Sequence, residues 1–168
     1  MKTKTLFPLC LLIAAVAAAH AQSSFTVSLD GAQAGIASSG TGTGTLTLNL
    51  DNTVSYDISF SGLTGTTTMA HIHGPAAPGV SAGVVQGLTF VGGIGTTSGQ
   101  LMGTTGALTA PQVTDMLNGL HYVNIHTSFA GGGEIRGQIY LVPEPTSLAL
   151  VGFGAAAGLV MWRSRRHS

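Results

Sequence analysis

Three histidines carry the clearest chemical potential in this chain. His71 and His73 form a His-x-His pair within a short apolar–polar alternation, and His126 closes a later one. Side chains two positions apart on a strand point to the same face, so the two imidazoles of the pair lie side by side. Three imidazoles brought together can supply three nitrogen ligands to zinc or copper.

Other polar side chains alternate with apolar ones in the two segments 122–126 and 134–139. In each segment the apolar residues define the core side, so the polar residues are exposed or gathered in a surface groove. Glu134 is a candidate fourth metal ligand or a partner of a ligating histidine. The remaining members form a predicted surface polar cluster: Tyr122, Asn124, Arg136 and Gln138.

The sequence leaves three interpretations of the histidines open. They can be structural, bonded to neighbouring strands and loops while Glu134 pairs with Arg136, or they can hold a metal ion. The third interpretation is catalytic, because copper–zinc superoxide dismutases also combine a secreted β-sandwich, a His-x-His strand and a late arginine near the metal. The chain is similar to those enzymes only in these points. No nucleophile motif and no carboxylate pair stands out, so we do not expect an enzyme.

Alternating apolar and polar residues predict short strands along most of the body. A turn at Asp51–Thr53 joins two of them into a hairpin. One helix is predicted after Thr109, with Pro111 in its first turn and Asn118-Gly119 at its end. The predicted strands cover residues 25–29, 45–50, 54–60, 69–73, 83–90, 98–102, 121–127 and 134–142. This spacing predicts an all-β fold with one short helix, an antiparallel Greek-key-like β-sandwich.

The N-terminal end of the chain predicts export. Residues 1–21 combine Lys2 and Lys4, an apolar stretch and the cleavage pattern Ala19-His20-Ala21, which together are typical of a secretory signal peptide. The only cysteine, Cys10, belongs to this segment. The mature chain is therefore expected to have no disulfide and no thiolate ligand for a metal.

The C-terminal end predicts a transmembrane helix. An apolar run, 147–162, follows the motif Pro143-Glu144-Pro145 and ends at a basic tail that contains Arg163, Arg165 and Arg166. About 16 residues form a helix of roughly 24 Å, a little shorter than the hydrocarbon core of a bilayer. Local thinning and the flanking arginines accommodate that difference. The basic end is expected in the cytoplasm and the body outside.

Residues 22–142 between these ends form one predicted domain with few charges. Five carboxylates stand against Arg136 alone, which gives a net charge near −4 without any lysine. A phosphate backbone needs cationic contacts, so nucleic acid is not an expected partner.

Both the tail and the body resemble known families. The order of Pro-Glu-Pro, apolar run and arginines in residues 142–168 resembles the PEP-CTERM sorting signal. That resemblance implies an exosortase-type transpeptidase of a Gram-negative bacterium, cleavage near the motif, and release to the cell surface or an exopolysaccharide matrix. The body resembles the CHRD domain of chordin and of many secreted microbial proteins. The blocks that carry this resemblance are LDGAQ (29–33), AHIHGP (70–75), YVNIHT (122–127) and GGEIRGQ (132–138).

The CHRD resemblance implies an extracellular β-rich domain without an agreed activity. We therefore expect a secreted, cell-surface or matrix domain with a binding or structural role. The alternative is a metalloprotein with zinc or copper held by the three histidines and Glu134. Expected partners are an exosortase-like enzyme, the membrane before processing, and exopolysaccharide or other surface proteins.

Overall fold

The structure is a computed structural model that describes residues 22–143. The predicted signal peptide and the predicted transmembrane helix at 147–162 lie outside the described residues. Within residues 22–143, no helix is long and apolar enough to cross a membrane.

Eight antiparallel strands and two short helices make up the described chain. The strands are β1 Ser23–Asp30, β2 Thr41–Leu48, β3 Val54–Ser61, β4 Thr67–His73, β5 Val84–Gly87, β6 Gly99–Thr104, β7 Tyr122–Thr127 and β8 Ile135–Leu141. The helices are α1 Gly31–Ala34 and α2 Ala110–Leu117. The predicted fold class, mostly antiparallel β with a short helix, is confirmed.

All eight strands belong to one hydrogen-bonded sheet in the order β5-β4-β7-β8-β1-β2-β3-β6. The sheet is curled, so that its two edges approach each other. The segment that follows β5 shows this, because it bonds both to β4, beside one edge, and to β6, the other edge. Leu88 donates its backbone N–H to Ala70 of β4 (2.8 Å), and Val91 donates to Gln100 of β6 (2.8 Å). The two packed faces of the sandwich are therefore two halves of one continuous sheet.

The core lies between these halves and is built by strict alternation. Along β1 the side chains of Phe25, Val27 and Leu29 are buried, while the residues between them point away. The same rule holds on β3, where Ile58 is fully buried. Because side chains on a strand alternate between faces, one buried face fixes the register of each strand.

Two predicted local structures are confirmed in detail. The Asp51 carboxylate accepts hydrogen bonds from the backbone N–H (3.1 Å) and the hydroxyl (2.7 Å) of Thr53, which closes the turn between β2 and β3. Helix α2 begins after Thr109, whose backbone N–H donates to the side-chain oxygen of Gln112 (2.9 Å). Its buried Met116 anchors it to the core. Helix α1 was not predicted; it begins at Gly31, directly after its N-cap Asp30, which accepts a hydrogen bond from the backbone N–H of Gln33 (2.7 Å).

We expect Gly44→Ala to destabilise the fold because β2 passes very close to β3 at this residue. A methyl group there would overlap the carbonyl oxygen of Asp57 and the backbone of Ile58. Overpacking of this kind costs about 1–3 kcal/mol. Gly87→Ala in β5 is the matched control, because nothing lies within 4 Å of its added methyl group. Urea unfolding should show a lower midpoint for the first variant only; equal midpoints would contradict the close approach.

Candidate functional site

The structure brings the three predicted histidines together on two neighbouring strands. His71 and His73 lie on β4 and His126 lies on the adjacent β7. One ring nitrogen from each imidazole lies within 4.8 Å of the others. Nδ1 of His71 lies 3.2 Å from Nε2 of His126. His73 and His126 are buried and His71 is half-buried.

Loop carbonyls set the tautomers of two of these rings. Nδ1 of His73 lies 3.0 Å from the carbonyl oxygen of Ala82, and Nδ1 of His126 lies 2.9 Å from that of Gly131. A carbonyl oxygen can only accept, so each Nδ1 carries the proton and, in the neutral ring, each Nε2 presents a lone pair. Nε2 of His73 is buried and has no hydrogen-bond partner in the described chain.

Burial favours the neutral form of two of these histidines. It lowers the pKa of His71, and the neighbouring imidazoles of His126 and His73 lower it further. Burial also lowers the pKa of His73, although the hydrogen bond to Ala82 works against this shift. A buried imidazole loses hydration when it charges, which is the physical cause in both cases.

Tyr122 and Arg136 extend the site across the next two strands. The ring of Tyr122 stacks on His73, with 5.1 Å between ring centroids and 8° between ring planes. The guanidinium carbon of Arg136 lies 3.4 Å from the centroid of the same tyrosine ring. Because β7 lies between β4 and β8, the tyrosine ring separates the histidine from the arginine.

A small polar pocket of about 120 Å³ opens beside this stack. Its lining includes His73, Ser81, Tyr122, Asn124 and Arg136. The Arg136 side chain is only 5% exposed, and its one protein hydrogen bond is a long one to the carbonyl oxygen of Ala77 (3.5 Å). Within residues 22–143 no carboxylate forms an ion pair with it. A guanidinium this deeply buried normally has an anionic partner.

Asn124 and Gln138 belong to the same face but hold loops in place. Asn124 donates to the carbonyl oxygen of Gly132 (2.9 Å). Gln138 donates to the carbonyl oxygens of Ala76 (2.9 Å) and Gly119 (2.7 Å). These bonds draw the loops over the polar face, so the predicted surface cluster is in fact largely buried.

Glu134 is not brought to the histidines, and it forms no ion pair with Arg136. Its fully buried carboxylate accepts hydrogen bonds from the hydroxyls of Ser38 (2.6 Å) and Thr127 (2.7 Å) and from the backbone N–H groups of Thr64 (2.6 Å) and Gly65 (3.0 Å). Burial by itself would raise the pKa of Glu134, but these four donors outweigh it and lower the pKa to about 2. The residue is a structural anion, not a ligand.

A larger and more open concavity of about 480 Å³ lies elsewhere, across β1, β2 and β3. Its lining includes Ser28, Thr43 and Ser59, and none of the predicted site residues. We place the functional site at the histidine and arginine face, because only that face combines convergent polar side chains with unpaired buried atoms.

Sequence reasoning missed two carbonyls that contribute to the site and one side chain that neighbours it. The carbonyls of Ala82 and Gly131 lie in irregular loops, whose paths alternation does not predict. Met69 lies two residues before His71 and is paired with His126 in the β4–β7 register. The sequence did hold a signal for Met69, because it lies an even number of residues from His71 and His73 and therefore shares their face of the strand. The motif residues Glu144 and Pro145 and the tail arginines 163, 165 and 166 lie outside the described residues, and Pro143 is their last described neighbour.

The fold is an antiparallel β-domain with one polar face of histidines, tyrosine and arginine, and comparison with known families gives its class. The CHRD domain model matches residues 25–139, which is more than half of the chain. The chain therefore belongs to the CHRD domain family. The model of the PEP-CTERM protein-sorting motif matches residues 141–166, directly after it. A search of curated proteins and of solved structures finds no match to this chain.

We expect Glu134→Gln to lower stability at neutral pH and to flatten its acid dependence. The folded pKa lies below the unfolded one, so the carboxylate's contribution is complete above about pH 5 and is lost as the pH falls towards 2. For the unchanged chain this loss is on the order of 3 kcal/mol. Urea unfolding at pH 7 and pH 3 should show about 2 kcal/mol of this loss, because the carboxylate is still mostly ionised in the folded chain at pH 3. Asp57→Asn, at an exposed carboxylate, is the control. If Glu134→Gln lost as much stability between pH 7 and pH 3 as the unchanged chain, the assignment would be contradicted.

Proposed function

We propose that this protein is an exported surface or matrix domain that binds an acidic ligand and is delivered by an exosortase-like enzyme. The observation that carries the proposal is the order of the two family matches: a CHRD domain over residues 25–139 and a sorting motif over 141–166. In this proposal the membrane segment is transient, and processing releases the domain to the cell surface or extracellular matrix of a Gram-negative bacterium.

The composition of the domain supports a role outside the cell. Residues 22–142 have five carboxylates, one guanidinium and no lysine. Glu134 and Arg136 are buried, so the surface carries only the four aspartates. A weakly acidic surface of this kind does not adhere broadly to polyanions, since the long-range field is repulsive. Any contact with an acidic matrix must then depend on a local site. The role is one of binding and not of catalysis.

The pocket beside Tyr122 supplies such a site. The buried guanidinium of Arg136 has no carboxylate partner in residues 22–143, and the tyrosine ring below it compensates only part of its lost hydration. A ligand carboxylate would complete the charge and could accept two parallel N–H bonds. The volume of about 120 Å³ suits one acidic group of a larger molecule. We assign the ligand class as a carboxylated exopolysaccharide.

Removal of residues 143–168 should divert the protein from the cell surface into the medium. The deletion removes all but the first two residues of the matched sorting motif and leaves the CHRD match, residues 25–139, intact. Fractionation and immunoblotting of the host, with and without the deletion, would measure the change. Surface display unchanged by the deletion would contradict sorting by this tail.

Arg136→Gln should weaken binding of an acidic oligosaccharide by about tenfold or more, because one charge-assisted contact contributes about 1.5–3 kcal/mol. Calorimetric titration of the full chain with oligogalacturonate, and with a neutral maltooligosaccharide, measures it. Affinity for the acidic ligand should also fall with added salt.

Thr43→Ala is the matched control for this titration, since Thr43 lines the larger concavity. Loss of binding in Thr43→Ala but not in Arg136→Gln would place the ligand on the other half of the sheet. No binding of either oligosaccharide, in a chain that still reaches the surface, would reject the ligand class and retain the sorting proposal.

A further inference from the structure

We propose that His71, His73 and His126 bind one transition-metal ion of the copper or zinc class through three ring nitrogens. The inference goes beyond the proposed function, because it concerns the three imidazoles and not the anion pocket at Arg136, which shares only His73 with them. It starts from a feature that hydrogen bonding alone does not explain: Nε2 of His73 is buried without any partner in residues 22–143. The ring centroid of His73 lies 5.5 Å from that of His71 and 5.7 Å from that of His126.

The distances suit a single small ion. Zinc–nitrogen bonds of about 2.0–2.1 Å place two tetrahedral ligand atoms about 3.3 Å apart. Nδ1 of His71 and Nε2 of His126 are already 3.2 Å apart, and no pair of the three ligand atoms exceeds 4.8 Å. The remaining closure is about 1.5 Å at most on the basis of the same bond length. Small rotations of the side chains achieve this without a shift of either strand.

The surroundings of the rings match those of metal ligands. Histidines that bind metals usually donate their other ring N–H to a carbonyl or carboxylate, which fixes the tautomer and turns the lone pair towards the ion. His73 does so to Ala82 and His126 does so to Gly131. Each of these two rings therefore presents its Nε2 lone pair to the cluster. Nε2 of His126 is hydrogen-bonded to Nδ1 of His71, which is the nitrogen that His71 would contribute once a metal ion replaces the shared proton.

The charges around the cluster permit a cation. Arg136 is the only cationic side chain among the described residues, and the Tyr122 ring lies between it and His73. Within residues 22–143 the one buried carboxylate is that of Glu134, and it is already bonded to four other donors. Three neutral imidazoles are thus the protein ligands, and this donor set accepts either copper or zinc.

Met69 is the residue whose chemistry distinguishes copper from zinc as the ion bound at this site. It is 51% exposed, shares the outward face of β4 with both histidines of the pair, and lies opposite His126 in the strand register. A thioether is a soft ligand that favours copper, above all Cu(I), and is of little use to zinc. If the Met69 sulfur takes part in binding, the site is therefore selective for copper over zinc.

The test uses the full chain, expressed without a polyhistidine tag, stripped with a chelator and dialysed against Cu²⁺ or Zn²⁺. Mass spectrometry of the metal content should give about one equivalent of one of the two ions. Electron paramagnetic resonance of the Cu²⁺ form should show coupling to three nitrogens. Less than about a tenth of an equivalent of both metals would overturn the proposal and leave His71 and His126 as an ordinary hydrogen-bonded pair.

Two substitutions test the ligands. His71→Gln should lower affinity by tenfold or more, and it is the gentlest change because His71 is half-buried and bonds only to His126 among the described residues. His126→Gln should do the same. His167→Gln, which removes a histidine of the C-terminal tail, is the control and should have no effect. Metal content that falls in the control but not in His71→Gln would overturn the site.

Met69→Leu decides between the metals. Weaker Cu(I) binding with unchanged zinc binding assigns copper. Unchanged binding of both ions, in a chain that still depends on His71, assigns the three-imidazole site without a sulfur ligand. The nitrogen coupling in the paramagnetic spectrum is read from the unsubstituted chain, so the proposal can be rejected even if a variant fails to fold.

Discussion

The carboxylate of Glu134 is the contact on which the arrangement of the site depends. It is a fully buried charge, and a buried charge is tolerated only when its lone pairs are occupied. Its four donors come from three separate segments: Ser38 after α1, the 64–65 loop before β4, and Thr127 at the end of β7. One side chain therefore fixes the ends of both strands that carry the histidines.

Most of the strands could be predicted from the sequence because one of their faces lies in the core, as in β1 and β3. The edge strand β5 has no buried residue, and alternation gives it only a weak signal. All eight strands lie within or across the predicted segments, and their bounds differ from the predicted ones by a few residues at the ends. The same reasoning gave the wrong place for Glu134. Side chains alternate between faces only within a strand, and Glu134 precedes β8, which begins at Ile135. Its donors include two backbone amides in an irregular loop. Neither the loop path nor the closure of the sheet at residues 88–91 leaves a periodic signal.

The candidate site shows the same division between strands and loops. Parity correctly predicted that His71, His73 and His126 share a face, since β4 and β7 are neighbours in the sheet. It did not predict that this face is buried. Burial comes from the loops that Asn124 and Gln138 tether through backbone carbonyls. The carbonyls that set the histidine tautomers also lie in loops, so the sequence shows which rings meet but not how their protons are arranged.

The positive charges of the chain lie almost entirely in its two ends, which limits what the face that carries Arg136 can attract. Five of the six lysines and arginines lie in the two ends of the chain, and Arg136 alone lies in the domain. A single guanidinium on an acidic body exerts no long-range attraction on a polyanion, because the surrounding carboxylates oppose it beyond about 10 Å at ordinary ionic strength. Its effect is confined to direct contact, where burial and the Tyr122 ring define its orientation. Selectivity by contact, and not adhesion by net charge, is what this distribution provides.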